Sequence, residues 1–355
     1  MMPLSPPHSL RFDTPKTIAG DLERCQPARR VDQILRYRHT PCLKTRTLVL
    51  FLSALLSLSF CPAYGREAGS GWDQSAILQA IEDSPFEEPI HVKSREDGDG
   101  MSGEVYAVVE QRFADLVDTL HAPSNWCEIL FLHLNVKACV IGESGELIIY
   151  SGRKYYQEPE EAKRISLHLR VQETAKDFLS VELGSDSGPY GTRDFQMLAE
   201  VAPLDGEQCL LHLQYSLGYG FFTRIALKTY FATLGRNKIG FSVTEPSSNG
   251  KPEYVGGVRG MIERNTVRFY YALMAFLENP GDSDEALQAR LTRWFELTER
   301  HPEQLREIDR DTYLEQKEQE RREQEQLANQ IEAAPEGSTG GPDPDTSEAW
   351  SNPSR

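Results

Sequence analysis

The sequence predicts an α+β fold, a curved antiparallel sheet with one long helix gripped against it. Three observations predict it. "PIHVKSRE" (89–96) and "SGEVYAVVE" (102–110) alternate as strands around the turn "DGDG" (97–100), which makes a β-hairpin. Six further strand-like stretches follow between 138 and 220: "ACVIGE", "ELIIYSG", "RISLHLRVQ", "DFLSVELGS", "TRDFQMLAEVAP" and "CLLHLQYSLGYG". Residues 256–279 then place Val258, Ile262, Val267, Tyr270, Tyr271, Met274 and Leu277 over a broad helical surface. Hairpin, helices, strands and a long helix, in that order, give an antiparallel sheet with segregated helices.

The remaining elements follow in order. "DQSAILQAIE" (73–82) has helical spacing. "QRFADLVDTL" (111–120) is amphipathic through Phe113, Leu116, Val117 and Leu120. Asn125 with Glu128 three residues later is a capping-box pattern that starts a short helix. A helical patch covers 221–233, and "KIGFSVTE" (238–245) reads as a further strand. Helical stretches 283–300 and 302–330 close the ordered part. The second is nearly all Glu, Arg and Gln and reads as a solvated helix. This divides the chain into 1–65 (N-terminal extension and signal), 66–87 (lead-in and helix), 88–279 (main domain), 280–333 (charged helical extension) and 334–355. The last segment is Gly, Pro, Ser and acid, the composition of a disordered tail.

Charge and targeting set the compartment. The chain of 355 residues has a formal net charge of −16, and residues 66–355 hold 29 basic and 50 acidic residues. Such a body repels nucleic acid, so no nucleic-acid partner is expected, and membrane contact is expected only as a transient one. "TLVLFLSALLSLSF" (47–60) is a fourteen-residue apolar run preceded by Arg36, Arg38, Lys44 and Arg46 and followed by "AYG" (63–65). That is the pattern of a secretory signal. The alternative is a retained membrane anchor, for which the run is short against the roughly 20 residues a span needs. Lipidation at Cys61 is disfavoured by Phe60 and Pro62. Residues 1–35, rich in Pro and Arg, are an odd extension for a signal. The expectation is an exported chain, periplasmic or secreted, that begins near Arg66 and keeps Cys127, Cys139 and Cys209.

"NWCEILFLHLNVKACV" (125–140) is the densest stretch. Read as a metal site, Cys127, His133 and Cys139 lack the close pairs of structural zinc, so no metal or other cofactor is expected. Read as a nucleophile and base, Cys127 and His133 fall on different faces of one short helix. Read as a disulfide in an oxidising space, Cys127 and Cys139 flank a helix that reverses into a strand. The disulfide is the expectation, with Cys209 free and with Trp126 and His133 as wall residues of a core or cavity.

Other constellations are less specific. In "SDSGPYGTRDFQ" (185–196), Gly188, Pro189 and Gly191 mark a turn, after which Arg193 and Asp194 enter a strand on opposite faces. Arg193 either turns inward to a partner such as Glu263 or forms an exposed hairpin pair with Asp194. Arg264 and Arg268 stack on one helix face, which invites an anionic partner unless nearby acids balance a solvated face. His168 and His212, both in strand-like runs, would make a pair if both point inward on neighbouring strands. No G-x-S-x-G elbow, HExxH, P-loop or dinucleotide fingerprint is present.

"SGEVYAVVEQRFADLVDTLHAPSNW" (102–126) and the helix 256–279 resemble the START-like, helix-grip (SRPBCC) superfamily over about 88–279. The "WC" at 126–127, "LHLN" at 132–135 and "GPYGTRDF" at 188–195 are similar to a group of exported bacterial proteins of unassigned activity. The superfamily resemblance implies a cavity between sheet and helix that takes a hydrophobic or amphipathic small molecule, such as a lipid. It brings no catalytic residue. Its expected lining here is Trp126, His133, Arg193, Tyr215, Arg264, Arg268 and Tyr271, with an anionic head towards the arginines. The alternatives are a hydrolase-like enzyme using histidine and acid residues in the same cavity, and a scaffold that takes a protein partner on helix 302–330.

Overall fold

The computed structural model describes residues 72–173, 177–188, 191–233, 235–246 and 252–333. Of the two units into which the chain divides, Met1–Gly65 and Arg66–Arg355, all of these belong to the second. The expected signal, Pro189 and the expected tail 334–355 lie outside the described residues.

The expected hairpin forms from β1 (Ile90–Asp97) and β2 (Gly100–Val109). Helices α2 (Phe113–His121) and α3 (Pro123–Phe131) follow. Strands β3 (Val136–Ile141), β4 (Leu147–Ser151), β5 (Lys163–Glu173), β6 (Leu179–Ser187), β7 (Thr192–Pro203) and β8 (Cys209–Tyr219) come next. The eight strands form one antiparallel sheet in the order β1-β2-β8-β7-β6-β5-β4-β3. The order follows from hairpin pairing: β3 to β8 form a meander, and the leading hairpin closes onto its last strand. The fold is α+β.

Helix α5 (Gly257–Glu278) lies against one sheet face, over β1, β2 and β8. That face carries Val105, Ala107, Leu211, Leu213, Tyr215, Met197 and Val181, all buried in the main core. Alternation delivers them, since every second residue of each strand points the same way. The approach is close enough to need glycine at one point. A Cβ on Gly103 of β2 would stand 2.4 Å from Thr266 Oγ1 and 3.1 Å from the Ile262 carbonyl oxygen. The fully buried Glu263 secures the helix from the other side. It accepts from the backbone N–H groups of Phe241 and Ser242 and from the hydroxyls of Ser94 and Ser242.

The opposite sheet face is covered at two places. Helix α1 (Gln74–Glu82), capped by Asp73, packs Ile77, Leu78 and Ile81 over Tyr106 and Leu210. At the other edge lies α8 (Arg310–Ala333), reached through α4 (Phe221–Ala232), α5, α6 (Asp284–Thr298) and the short α7 (Pro302–Leu305). The stretch 302–330 is therefore two helices, and α8 is not solvated all round. Tyr313, Lys317, Glu320 and Gln324 are buried. Gln324 accepts from the Cys139 N–H at 2.8 Å and the Lys317 ammonium donates to the Val136 carbonyl at 2.7 Å, so α8 satisfies polar groups of the edge strand β3. The polar sequence of α8 hides a buried face because polar residues are what an open strand edge requires.

Three local expectations are corrected. Asn125 does not cap α3; Pro123 occupies the first turn and the Asn125 amide donates to the Thr119 carbonyl. The stretch 238–245 does not join the sheet. Only β9 (Val243–Pro246) is extended, and it pairs with β10 (Pro252–Tyr254) in a separate ribbon. Arg193 does not reach Glu263. A register shift lies between Arg193 and Gln196, and Asp194 sits at φ 50°, which breaks the alternation. Both side chains end over Gly218, where Arg193 pairs with Asp99 and with Asp194 on the surface.

Candidate functional site

Cys127 and Cys139 are joined, with Cα atoms 5.1 Å apart, and Cys209 is free and buried. The bridge ties α3 to β3. Trp126 beside it is 1% exposed and donates to the Leu120 carbonyl at 2.8 Å, fixing α3 on α2. A cleft of about 310 Å³ opens next to the disulfide, lined among others by Glu128, Arg290 and Arg321. Both guanidinium groups pair with Glu128, at 2.6 and 2.7 Å.

Side chains fill the space between α5 and the sheet at its middle. Phe195, Tyr215, Phe269 and His133 form a row, with ring centroids 5.3, 5.4 and 4.4 Å apart. His133, in the turn after α3, accepts the Asn135 N–H on Nδ1 at 3.1 Å, which leaves the ring proton on Nε2. That nitrogen is buried without a partner among the described residues. Burial and the nearby Arg268 hold its pKa well below the ordinary histidine value, so the ring is neutral. Tyr271 is buried with its hydroxyl unpartnered among the described residues, parallel to His301 at 6.2 Å. Burial pushes the Tyr215 and Tyr271 hydroxyls well above the usual phenol range.

Arg264 and Arg268 are not on a solvated face. Both are buried, and they belong to a cluster of four basic side chains at one carboxylate, three of them paired with it and Arg264 beside them. The carboxylate is Glu307, in the connection between α7 and α8. It takes Lys154, from the β4–β5 connection, in close contact, Lys238 at 2.7 Å and Arg268 at 3.1 Å. Arg268 also donates to the Leu305 carbonyl, and Arg264 donates to the Ile239 carbonyl at 3.0 Å. The Nε atoms of both arginines are buried and unpartnered among the described residues. A space of about 10 Å³, room for about one water, borders Glu307, Leu305, Trp294 and Tyr313.

The electrostatics record the imbalance. Burial, then Arg268, brings the Lys154 ammonium down to about 7 against the pull of Glu307. The same two causes bring Arg264 down to about 10. Burial alone would raise the Glu307 carboxyl, but Arg268, Lys154 and Lys238 outweigh it and hold it at about 2. Of these five residues the sequence singles out only the arginine pair. Lys154, Lys238 and Glu307 lie in connections with no periodic signal, and the unmet charge of the two arginines is the only hint of them.

The histidines do not share a cavity. His168 is exposed, and β5 is separated from β8 by β6 and β7. His212 points to the face under α1, away from His133. It lies 2.8 Å from Glu200 and 3.2 Å from Glu104, stacked on Tyr106 at 4.4 Å. No group of three His, Cys, Asp or Glu side chains among the described residues is placed to hold a metal.

No family model matches the chain, and no curated protein matches it. Among solved structures it is similar to the lipid transfer and protein localization domain of human StarD13, at 9% identity and TM-score 0.28, over 41% of this chain and 81% of that one. A norcoclaurine synthase point mutant from Thalictrum flavum, in complex with a transition-state analogue, is 11% identical at TM-score 0.27, over 41% and 88%. A conserved protein of unknown function from Enterococcus faecalis is 11% identical at TM-score 0.27, over 71% and 96%. At these TM-scores the likeness carries no argument, and the α+β architecture rests on the strand order and the α5 contact.

Proposed function

We propose that this is an exported protein that binds an anionic amphipathic small molecule, such as a fatty acid or another lipid, with its anionic group at the Arg264, Arg268, Lys154 and Lys238 cluster. The observation that carries the reading is that four basic side chains gather at Glu307, the one carboxylate ion-paired with any of them among the described residues. Arg264 and Arg268 are buried while Lys154 and Lys238 are half-buried, and buried cations in excess of their anions are costly unless a further anion joins them. Glu307 then acts as the resident carboxylate that an incoming anion displaces or joins. Its position in a connection, rather than inside α7 or α8, leaves it the element with least to unfold if it moves. The aromatic row Phe195–Tyr215–Phe269–His133 is the apolar surface available to the rest of the molecule, and side-chain movement has to open it. The resemblance to helix-grip proteins in the sequence agrees with this use of sheet and helix, and the N-terminal signal pattern supports the compartment.

The test is ligand-induced stabilisation. Oleate, or inorganic phosphate as a headgroup probe, is titrated into wild type, Glu307→Gln, Lys154→Ala and Arg264→Ala while the melting temperature is followed. Wild type should be stabilised, Glu307→Gln should bind more tightly, and Lys154→Ala or Arg264→Ala should bind about tenfold more weakly, the equivalent of one charge-assisted contact. Native mass spectrometry should find the anionic molecule retained from the cell. If neither probe stabilises wild type or Glu307→Gln, the reading fails.

A further inference from the structure

Helix α4, inserted between β8 and α5, has its amphipathicity reversed. None of its residues is buried. Its exposed positions are Phe221, Phe222, Ile225, Lys228, Thr229 and Ala232, a spacing that defines one helical face. On that face Phe221 is 70% exposed, Phe222 84% and Ile225 48%, and the two phenyl rings stand 5.7 Å apart. The other face holds the helix to the body. Leu227 packs on the main core, Arg224 donates to the Gly98 carbonyl, and Thr223 donates to the Gly191 carbonyl. Large apolar groups set side by side in water, on an element anchored from behind, mark a contact surface.

Charge selects the partner. In a chain of net charge −16, residues 208–244 contain Arg224, Lys228, Arg236 and Lys238 and no acidic residue. Lys238 is engaged by Glu307, and Arg193 with Asp99 stands near Arg224 at the opposite end of the helix. Lys228 and Arg236 are exposed, and neither has an ion pair among the described residues. An exposed apolar face flanked by exposed cations matches the layering of a bilayer surface, acyl chains below anionic headgroups.

We propose that α4 is an interfacial helix that docks the protein on a lipid bilayer, with Phe221, Phe222 and Ile225 in the acyl boundary and Lys228 and Arg236 at anionic headgroups. The docking is independent of whether the Glu307 cluster takes a ligand. It acts against the overall negative charge of the body, so it is local and reversible.

The test uses the full-length protein with vesicles of phosphatidylcholine alone or mixed with phosphatidylserine. Wild type should co-float more with the mixed vesicles. Phe221→Ser with Phe222→Ser should weaken flotation by roughly tenfold or more, from the loss of two buried phenyl groups. Because the apolar run at 47–60 also binds lipid if it is retained, a second readout is specific to α4. The indole introduced by Phe222→Trp should be quenched by brominated acyl chains. Absence of that quenching overturns the proposal. So does a concentration-dependent dimer that the double variant dissolves, which would assign the face to a second copy of the chain.

Discussion

The Glu320 carboxylate of α8 lies 2.7 Å from the Lys137 ammonium of β3, and both side chains are completely buried. Lys317 meets the same carboxylate at 2.7 Å, also with no exposure, and its ammonium sits 4.0 Å above the Phe131 ring. Burial brings the Lys317 pKa down to about 8. The trio carries one net positive charge inside the protein, and backbone carbonyls of Leu134, Tyr155 and Val136 complete its hydrogen bonds.

Removing Glu320 alone should therefore be severe. Glu320→Leu leaves two buried ammonium groups without their anion and should cost about 3–5 kcal/mol in urea unfolding. Replacing Lys137 and Lys317 by Met together with Glu320→Leu should recover most of the loss. A single variant as stable as wild type would mean that α8 does not seal the β3 edge.

His212 should make the docking of α1 sensitive to pH. Burial works against its charge, but the Glu104 and Glu200 carboxylates beside the ring prevail and raise its pKa above the ordinary value. A raised folded-state pKa adds stability that is fully present below about pH 6.5 and is lost as pH rises through the folded value. Stability of wild type minus that of His212→Gln should fall over that interval. A difference that stays flat with pH would show that folding leaves the pKa of the ring unshifted, and one that rises with pH would show that the folded ring is neutral.

The disulfide and the expected export make a joint prediction. Non-reducing peptide mapping of the exported chain should find Cys127 linked to Cys139, Cys209 free and an N-terminus near Arg66. With twelve residues of separation, losing the bridge in Cys127→Ser with Cys139→Ser should cost about 3 kcal/mol. A full-length cytoplasmic product with both thiols reduced would contradict the export.

Gly103 should tolerate no side chain. Gly103→Ala forces β2 away from Thr266 and Ile262 and should destabilise by about 1–3 kcal/mol. Gly206, whose added Cβ would meet nothing within 4 Å, is the control. Gly206→Ala should be neutral or stabilising by about 0.4–1 kcal/mol. Equal effects at the two positions would refute the close approach of α5 to the sheet.

Much of the fold was legible because it is periodic. Strands such as β8 alternate Leu211, Leu213 and Tyr215 inward with His212 outward, and α5 repeats its apolar residues at helical spacing, so both declare themselves locally. The Cys127–Cys139 bridge was legible for a related reason, since its partners are twelve residues apart with one short helix between them. The failures fall where a local rule was overridden. Asn125 is a good cap in isolation, but Pro123 starts α3 earlier and Thr119 takes the amide. Arg193 should point opposite to Asp194, but the bulge at Asp194 removes the alternation on which that reasoning depends.

The sequence by itself determined the antiparallel meander, the helix laid on it and the expectation of the disulfide, and it left Arg264 and Arg268 open between an anionic partner and a solvated face. Each of these follows from spacing or charge within a few dozen residues. Only the tertiary structure decided that both arginines are buried, which anion meets Arg268 and what α8 does. Glu307 is 39 residues from Arg268, and Glu320 is 183 from Lys137. Nothing local distinguishes Glu307 or Glu320 from their acidic neighbours. A carboxylate on a helix reads as solvated until a strand edge with open N–H groups and a buried lysine is placed against it, and that juxtaposition exists only after the chain has folded.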